Sequence, residues 1–382
     1  SSIPPRVMSR FPAAYGAASM LQLLLLLLIS VFIITMISIS VVNQSEMQTL
    51  QQKRVQSKRS LPHPTPPHRL LIGHLSSVDF KAGLANHVFE LISLIGIART
   101  LGRKPALPAP YYDHFHDDHH RDLPRLLETF VRCGEEELKS PRLRLDLHSC
   151  CRYHPSILDE LTKHEQEERV NAQVFHLQSF KYFSSVLSRE EILSLIELPH
   201  QLKHKAARHL IDRDELMHYD HRLCVHSRRG DFISSRQHAA SNELFTLPAI
   251  EFMQGHVRSQ FDSSSPLIVM IGDDQEWQRE IIKSLYRTPA LLLPSNSSLP
   301  AVAAWHFART YCDSVLLTAS SSTFGWWLAY QAKSKHVFYN AVFSKPRGFN
   351  RSLDPSDYFP HEWTALEFDP STSSVGIRER FF

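Results

Sequence analysis

The second half of the chain alternates short apolar runs with longer mixed stretches, and this alternation limits the possible folds more than any other feature. The apolar runs predict strands at 223–225, 267–271, 290–293, 314–318 and 336–339. The stretches between them predict helices at 249–260, 276–285, 301–310 and 324–332. Strands that alternate with helices of this length are typical of a parallel sheet in an α/β domain.

A shorter alternation of the same kind begins near residue 70. A predicted strand at 70–73 precedes the turn at 83–87, a predicted helix at 88–101 and a further strand at 104–107. The apolar residues of that helix recur at helical spacing. Gly102 follows it in the position where a left-handed helix cap is expected.

The region between these two alternations is rich in Leu, Glu, Lys and His and predicts several helices over residues 122–215. We therefore predict an N-terminal α/β subdomain over 70–215 and a C-terminal α/β subdomain over 216–382. With 382 residues and 43% hydrophobic content, the chain is long and apolar enough for both. The net charge of +3 and the lack of a basic stripe with interleaved aromatics argue against a nucleic-acid partner.

The N-terminal segment predicts a membrane anchor. Residues 21–42 are uncharged and apolar over a length that can cross a bilayer, whereas a cleaved signal peptide has an apolar core of about 7–15 residues. We favour an uncleaved anchor, although Ser38–Ser40 would also fit a cleavage site. Residues 1–20 would then form a cytosolic tail. The polar and then proline-rich residues 43–69 predict a stem.

Glycosylation sequons and cysteines both follow the predicted anchor. Of the sequons at Asn43, Asn296 and Asn350, the first lies close to the membrane, so the other two are the predicted glycosylation sites. This arrangement predicts a type II membrane protein with its folded part in the lumen. An oxidising lumen allows one or two disulfides among the five cysteines and leaves at least one thiol.

Two adjacent arginines lie in the segment His226–Asp231, directly after the predicted strand at 223–225. The planar guanidinium group matches phosphate oxygens in a bidentate manner, and ligands of α/β sheets bind at the carboxyl ends of the strands. Arg228 and Arg229 could therefore hold a diphosphate without a metal. His226 could donate to an oxygen of the same ligand, and Asp231 could orient an arginine. A solvated basic turn would explain an isolated motif of this kind equally well.

Three further segments each connect a predicted strand or turn to a helix. Gly83 and Asn86 belong to a tight turn that allows close approach of a ligand. Asp273 follows a strand and could accept from a base or ribose, or simply contribute to a helix start. A hydroxyl-rich segment can either cap a helix or bind phosphate at its N-terminus. Its candidate phosphate-binding residues are Ser320, Ser321, Ser322, Thr323, Phe324 and Gly325.

Two segments that suggest a metal do not have the pattern of a metal site. The histidine and aspartate run at 113–120 lacks regular ligand spacing. The segment Asp212–Asp214 has a DxD pattern, but no predicted strand precedes it, and a solvated helix face explains it better. We therefore predict no metal site.

Taken together, the anchor, the stem and four segments resemble the α-1,2-fucosyltransferases of glycosyltransferase family 11. The HxRRGD segment at 226–231 is the strongest match, and 83–89, 273–277 and 317–327 resemble three other family elements. Ala85 and His87 replace a glycine and a glutamine of the family pattern. Residues 110–215 match poorly, so acceptor choice is expected to depend on them.

The resemblance implies a GT-B-like fold, in which two Rossmann-like α/β halves face a cleft. It also implies a Golgi enzyme that uses GDP-fucose as donor, inverts the anomeric carbon and requires no metal cofactor. The acceptor would be a glycan on a glycoprotein or glycolipid, often with terminal galactose.

The same resemblance implies roles for the candidate residues. Arg228 and Arg229 would stabilise charge on the GDP leaving group. Gly83 and Asn86 would close over the donor, the 320–325 segment would hold the diphosphate, and Asp273 would help to fix the nucleotide.

An inverting transfer also requires a base for the acceptor hydroxyl. The sequence leaves this base open among His87, Glu90 and an acid of the variable region. Two other interpretations also remain: a fucosyltransferase with another acceptor or linkage, and a membrane-tethered GDP-sugar or glycan-binding protein without turnover.

Overall fold

The computed structural model describes most of the chain beyond the predicted stem: residues 69–79, 81–119, 121–139, 142–145, 150–174, 176–209, 213–261, 266–294, 300–346, 348 and 353–378. In these ranges no helix is both long and apolar enough to span a bilayer. The predicted tail, anchor and nearly all of the stem lie outside the described residues. So do the sequons at Asn43, Asn296 and Asn350.

The N-terminal half, residues 69–217, is built on a sheet of five parallel strands in the order β3-β2-β1-β5-β4. The strands are β1 (Leu70–Leu75), β2 (Lys104–Pro108), β3 (Val131–Cys133), β4 (Arg142–Leu145) and β5 (Arg169–Val174). Five of the six residues of β1 are buried, as expected for a strand with neighbours on both sides.

Eight helices accompany this sheet in the described part of the N-terminal half: α1 (Ser76–Asp79), α2 (Leu84–Thr100), α3 (Ala109–His119), α4 (Pro124–Glu128), α5 (Ser156–Thr162), α6 (Arg189–Leu195), α7 (His200–His209) and α8 (Arg213–Met217), with 3-10 turns at Glu136–Leu138 and Phe180–Tyr182. Helix α2 is buried nearly all round. A Cβ at Gly96 would lie 2.3 Å from the carbonyl oxygen of Tyr182, so only glycine allows this close approach. Gly102 follows the helix with φ +62°, as predicted.

The C-terminal half, residues 222–378, contains a seven-stranded sheet in the order β12-β11-β10-β9-β6-β7-β8. Its strands are β6 (Arg222–Ser227), β7 (Leu267–Gly272), β8 (Ala290–Leu292), β9 (Ser314–Leu317), β10 (Val337–Asn340), β11 (Thr364–Asp369) and β12 (Ser374–Ile377). All neighbouring strands are parallel except β11 and β12. The order from β8 to β11 is that of a doubly wound Rossmann sheet, and the winding direction reverses between β6 and β9.

Six helices belong to the described part of this half: α9 (Gly230–Ser234), α10 (Glu243–Phe261), α11 (Gln275–Ser284), α12 (Val302–Tyr311), α13 (Thr323–Gln331) and α14 (Pro355–Tyr358). The helices predicted at 276–285, 301–310 and 324–332 lie within one residue of their predicted positions. Helix α2 begins four residues before its predicted start at 88, and α10 begins six residues before its predicted start at 249. The Asn242 side chain accepts a hydrogen bond from the Phe245 N–H at 3.0 Å and so starts the helix earlier.

The prediction of mainly helical structure over 122–215 was incomplete. This region also contributes β3, β4 and β5, and β5 pairs with β1 near the centre of the N-terminal sheet. The polar residues Asn171 and Gln173 within β5 conceal its strand character in the sequence. The predicted subdomain boundary at 215/216 falls within α8.

Both halves belong to one compact unit, Pro67–Phe382, and share a hydrophobic core. The ring of Phe89 in α2 lies 4.7 Å from the ring of Trp326 in α13. The indole N–H of Trp327 donates to the carbonyl oxygen of Ala85 at 3.2 Å. The fold therefore has the two α/β halves expected of a GT-B-like protein, joined by the contact between α2 and α13.

The cysteines form the expected combination of disulfides and thiol. Cys224 in β6 is bonded to Cys312 at the end of α12, with Cα atoms 5.6 Å apart. The adjacent residues Cys150 and Cys151 form a second disulfide, and Cys133 is a buried thiol.

The Cys224–Cys312 bond links residues 88 positions apart, so it restricts the unfolded chain considerably. We expect the double substitution Cys224→Ala and Cys312→Ala to lower the free energy of unfolding by about 2–5 kcal/mol. Urea denaturation of the oxidised proteins measures this loss, with Cys133→Ala as the control for removal of a buried sulfur. Equal denaturation midpoints for the double variant and the wild type would contradict the expected role of this disulfide.

Candidate active site

Two adjoining cavities lie at the carboxyl ends of β6 and β9, where the winding of the C-terminal sheet reverses. The larger cavity has a volume of about 730 Å³ and is lined by residues of both halves. The smaller cavity, of about 250 Å³, is lined by residues of the C-terminal half. Arg228, Ala301 and Phe324 line both, so the cavities meet beside the Arg228 side chain. Crevices at such switch points are where open α/β sheets bind ligands.

The Arg228 side chain is held by two carboxylates but remains accessible. Its Nε and Nη2 atoms lie 2.9 and 2.7 Å from Asp231 Oδ1, and Nη1 lies 3.3 Å from Asp273 Oδ2. The guanidinium also lies over the ring of Phe232, 5.7 Å from its centroid. Because 36% of the side chain is exposed, Arg228 can still contact a ligand at the junction of the cavities.

Arg229 is placed differently and lines neither cavity. Its Nε atom donates to Asp274 Oδ2 at 3.0 Å, and Nη1 donates to the carbonyl oxygen of Ser241 at 2.8 Å. The guanidinium lies 4.8 Å from the ring centroid of Trp277. The Trp277 N–H and, to a smaller extent, Arg229 lower the pKa of the Asp274 carboxyl. The two adjacent arginines are thus separated: one faces the cavities, and the other connects the loops that follow β6 and β7.

His226 and Asp273 line the smaller cavity. His226 is 1% exposed, and burial together with the nearby Arg228 charge lowers its pKa to about 3, so its ring is neutral. Within the described residues its Nδ1 atom has no hydrogen-bond partner. Asp273 Oδ1 accepts a hydrogen bond from the Arg229 N–H at 2.9 Å and so fixes the arginine loop against β7.

The hydroxyl-rich segment forms the start of α13, as predicted, and four of its residues line the larger cavity: Ser321, Ser322, Thr323 and Phe324. Ser322 caps the helix and accepts from the Gly325 N–H at 3.3 Å. Ser320 is buried and donates to the Asn340 carbonyl oxygen at 2.7 Å, so it does not face the cavity. Gly325 packs against the ring of His226.

Gly83 and Asn86, at the start of α2, contribute the N-terminal half's helix start to the larger cavity. Asn86 Oδ1 accepts a hydrogen bond from Gln178 Nε2 at 3.0 Å. Trp327 of α13 donates to the carbonyl oxygen of the neighbouring Ala85, so the starts of α2 and α13 are held together at this cavity.

The two named candidates for the base are in different environments. Glu90 lines the larger cavity, but its carboxylate accepts from Ser76 Oγ at 2.5 Å and from the Ser77 N–H at 2.9 Å. Burial raises the pKa of Glu90, against the effect of these hydrogen bonds. His87 lines neither cavity, and its ring nitrogens lie 3.2 Å from His119 Nε2 and from the Ser77 carbonyl oxygen.

Sequence reasoning did not identify several residues of the larger cavity. His238 lies 3.0 Å from Ser321 Oγ through Nδ1 and stacks on Phe232 with centroids 4.2 Å apart. Burial lowers its pKa to about 4. Other unforeseen residues of this cavity include His176, Gln178, Cys150 and Cys151. They lie in segments outside regular elements, and no motif in the sequence indicates them.

Neither of the two metal-like segments provides a metal site among the residues with a described position. No group of three His, Cys, Asp or Glu residues there could hold an ion. Much of the histidine and aspartate run belongs to α3. Asp212 lies outside the described residues, and Asp214 is exposed on α8.

Comparison with family models gives a match to "Glycosyl transferase family 11" over residues 162–367, which is more than half of the chain. The chain belongs to glycosyl transferase family 11. The matched region contains the family elements at 226–231, 273–277 and 317–327 but not the turn at 83–89. The resemblance inferred from the sequence is therefore confirmed, and most of the matched residues belong to the half that carries Arg228.

Two proteins of Caenorhabditis elegans named galactoside 2-alpha-L-fucosyltransferase are similar to this chain. One is 29% identical over 320 residues, which cover 82% of this chain and 85% of the relative. The other is 29% identical over 350 residues, which cover 84% of this chain and 82% of the relative.

Among solved structures, POFUT1 in complex with GDP-fucose aligns with 72% of this chain and 98% of its own, at 11% identity and a TM-score of 0.40. Fucosyltransferase NodZ from Bradyrhizobium aligns with 83% of this chain and 100% of its own, at 12% identity and a TM-score of 0.42.

The contact between Gly325 and His226 allows a direct test of the site geometry. A Cβ at Gly325 would lie 2.5 Å from His226 Nδ1, so Gly325→Ala must displace the histidine ring or the first turn of α13. We expect a loss of about 1–3 kcal/mol in the free energy of unfolding, measured by chemical denaturation.

Gly255→Ala is the matched control, because a Cβ there meets no atom within 4 Å in the interior of α10. It should be neutral or stabilise by about 0.5–1 kcal/mol. If both alanine variants had the stability of the wild type, the described packing of Gly325 on His226 would be wrong.

Proposed function

We propose that this protein is an inverting fucosyltransferase that transfers L-fucose from GDP-fucose to a hydroxyl group of a glycan. The observation that carries this proposal is the pair of adjoining cavities that meet at Arg228 in a family 11 chain. A nucleoside diphosphate sugar has a flat base, a doubly charged centre and a sugar. The two cavities offer an environment for each of these parts.

The smaller cavity suits the nucleoside. It combines apolar residues, such as Ile271, Leu293 and Pro294, with the polar groups of His226 and Asp273. The neutral His226 ring has a nitrogen without a partner among the described residues, and the Asp273 carboxylate can accept from a base or a ribose hydroxyl.

The diphosphate would lie at the junction of the cavities. Arg228 lines both cavities there, and Ser322 and Thr323 begin α13 at the edge of the larger one. The N–H groups at the N-terminus of a helix favour an anion, and the guanidinium adds a full positive charge. Fucose and the acceptor would then occupy the larger cavity, between the two halves.

In the proposed reaction the acceptor hydroxyl oxygen forms a bond to the anomeric carbon as the bond from that carbon to the diphosphate breaks. The electron pair of the broken bond goes to a β-phosphate oxygen of GDP, and the hydroxyl proton goes to a base. Arg228 and the start of α13 would stabilise the charge that develops on GDP. We propose that these groups make a metal cofactor unnecessary.

For the base, the geometry favours Glu90 over His87. Glu90 lines the larger cavity, and a raised pKa makes its carboxylate a better proton acceptor than an ordinary one. To act in this way, Glu90 must exchange its contact with Ser76 for a contact with the acceptor.

The names of the C. elegans relatives support an α-1,2 linkage to terminal galactose. A fucosyltransferase with another acceptor or linkage is the second candidate. Most residues of the N-terminal half that line the larger cavity precede residue 162 and so lie outside the matched family region. We also propose that the chain is a Golgi type II membrane protein, on the basis of the apolar residues 21–42 and the sequons beyond them.

The activity is tested by incubation of the purified protein with a panel of sugar nucleotides and galactose-terminated glycans in the presence of EDTA. We expect transfer from GDP-fucose alone, with an undiminished rate after chelation, and the product linkage identifies the acceptor hydroxyl. GDP binding without any transfer would support a binding protein. Absence of both from folded protein would exclude the proposed function.

Because Arg228 faces the cavities and Arg229 does not, we expect substitution of Arg228 to reduce turnover and substitution of Arg229 to reduce stability. Arg228→Ala should reduce kcat by about 100- to 1000-fold with little change in stability, because charge on the leaving group goes unpaired. Arg229→Ala should lower the free energy of unfolding by about 1–3 kcal/mol, because it removes hydrogen bonds to Asp274 and Ser241.

Steady-state kinetics and chemical denaturation of both variants separate the two effects. Wild-type turnover by Arg228→Ala would contradict the leaving-group role. If Arg229→Ala kept full stability and lost GDP binding, both arginines would contact the diphosphate.

A further inference from the structure

Gln178 contacts two groups that line the larger cavity and have no role in the proposed reaction: Asn86 and the Cys150–Cys151 disulfide. It is 7% exposed, lies beyond the end of β5 and lines the cavity. Its Nε2 atom donates to Asn86 Oδ1 at 3.0 Å. Its Oε1 atom lies 3.4 Å from the sulfur of Cys150 and 3.6 Å from the sulfur of Cys151. The Gln178 amide is therefore packed on both sides.

The hydrogen bond from Gln178 determines which group of Asn86 can reach a ligand. An asparagine amide has one acceptor oxygen and an NH2 group with two donors. Since the oxygen already accepts from Gln178, the NH2 group is what Asn86 offers to the cavity.

The surroundings of Asn86 favour an anion as the partner of this NH2 group. Asn86 lies in the first turn of the 17-residue helix α2, where the helix dipole is positive. Arg228 and the start of α13 at Ser322 line the same cavity. Two carboxylates also line it, but Asp231 pairs with Arg228 and Glu90 accepts from Ser76 and Ser77. Hydrogen-bond donors of both halves and the Arg228 charge can therefore still contact an anion in this space.

We propose that Gln178 is a positioning residue that orients the Asn86 amide so that its N–H groups bind the β-phosphate of the donor. The proposal rests on the proposed function, since the donor is GDP-fucose. In the opposite orientation the Asn86 oxygen would face a phosphate oxygen, which places two acceptors against each other. With the Gln178 N–H donating to Asn86 Oδ1, as the structure has it, Asn86 cannot turn its oxygen toward the phosphate without losing this hydrogen bond.

The substitution Gln178→Glu tests the orientation with almost no change in shape. At pH 7.5 an ionised carboxylate can only accept, so Asn86 must turn its NH2 group toward position 178 and its oxygen toward the phosphate. We expect isothermal titration calorimetry on the full chain to show a loss of GDP affinity of about 10- to 100-fold. Affinity for guanosine should not change, because guanosine has no phosphate.

Gln254→Glu is the matched control for a buried carboxylate. Gln254 is 8% exposed, its Nε2 atom donates to Thr288 Oγ1 at 3.1 Å, and it lines neither cavity. This variant should keep the wild-type affinity for GDP, even if its stability falls.

The pH dependence of the Gln178→Glu variant distinguishes orientation from general damage. Once protonated, the carboxyl introduced at position 178 has an O–H group that can donate to Asn86 Oδ1, and burial raises the pKa of such a carboxyl. GDP affinity relative to the wild type should therefore recover as the pH falls toward about 5–6. A loss that is independent of pH would overturn the proposal.

A double-mutant cycle with Asn86→Ala shows whether Gln178 acts through Asn86. In the Asn86→Ala background, Gln178→Glu should cost little additional GDP affinity, whereas additive losses would overturn the proposal. If the wild type binds GDP and Gln178→Glu binds it equally well, the positioning role is wrong and the proposed function stands. If the wild type binds neither GDP nor GDP-fucose, the proposed function itself fails, and the positioning role fails with it.

Discussion

The aromatic contact between α2 and α13 is the interaction on which the candidate site depends. Phe89 lies 4.7 Å from Trp326 and 5.4 Å from Trp327, and the Trp327 indole donates to Ala85. Removal of one such buried aromatic side chain typically costs about 3–5 kcal/mol. Because both α2, near Asn86, and α13, near Ser322, begin at the larger cavity, the same contact fixes both N-termini relative to each other.

The charges at the junction of the cavities are arranged before any ligand arrives. Asp231 and Asp273 hold the Arg228 guanidinium in one orientation, so little side-chain freedom is left to lose on binding. The neutral, buried His226 adds a polar nitrogen without competing for the positive charge. Such preorganised groups are effective in stabilising a leaving group, because they do not have to reorient during the reaction.

The sequence predicted the parts of this protein that depend on local pattern. Strands β6 to β10 and the start of α13 follow from apolar runs and capping residues, and Arg228 follows from its place after β6, whereas β11 and β12 were not predicted. Strand β5 could not be predicted in this way, because polar Asn171 interrupts its apolar pattern and is buried in a strand that pairs with β1 on one side and β4 on the other. The positions of Gln178 and of the Arg229 side chain likewise depend on contacts with residues far away in the chain.

The shared core restricts how acceptor specificity can be exchanged between related proteins by recombining their halves. In many two-domain enzymes the halves can be recombined because few side chains cross between them. Here a chimera that joins a foreign N-terminal half to this C-terminal half would place an unmatched helix against Trp326 and Trp327, which are both fully buried. A functional graft must therefore carry the Phe89 face of α2 together with the acceptor-binding residues, or import α13 along with it.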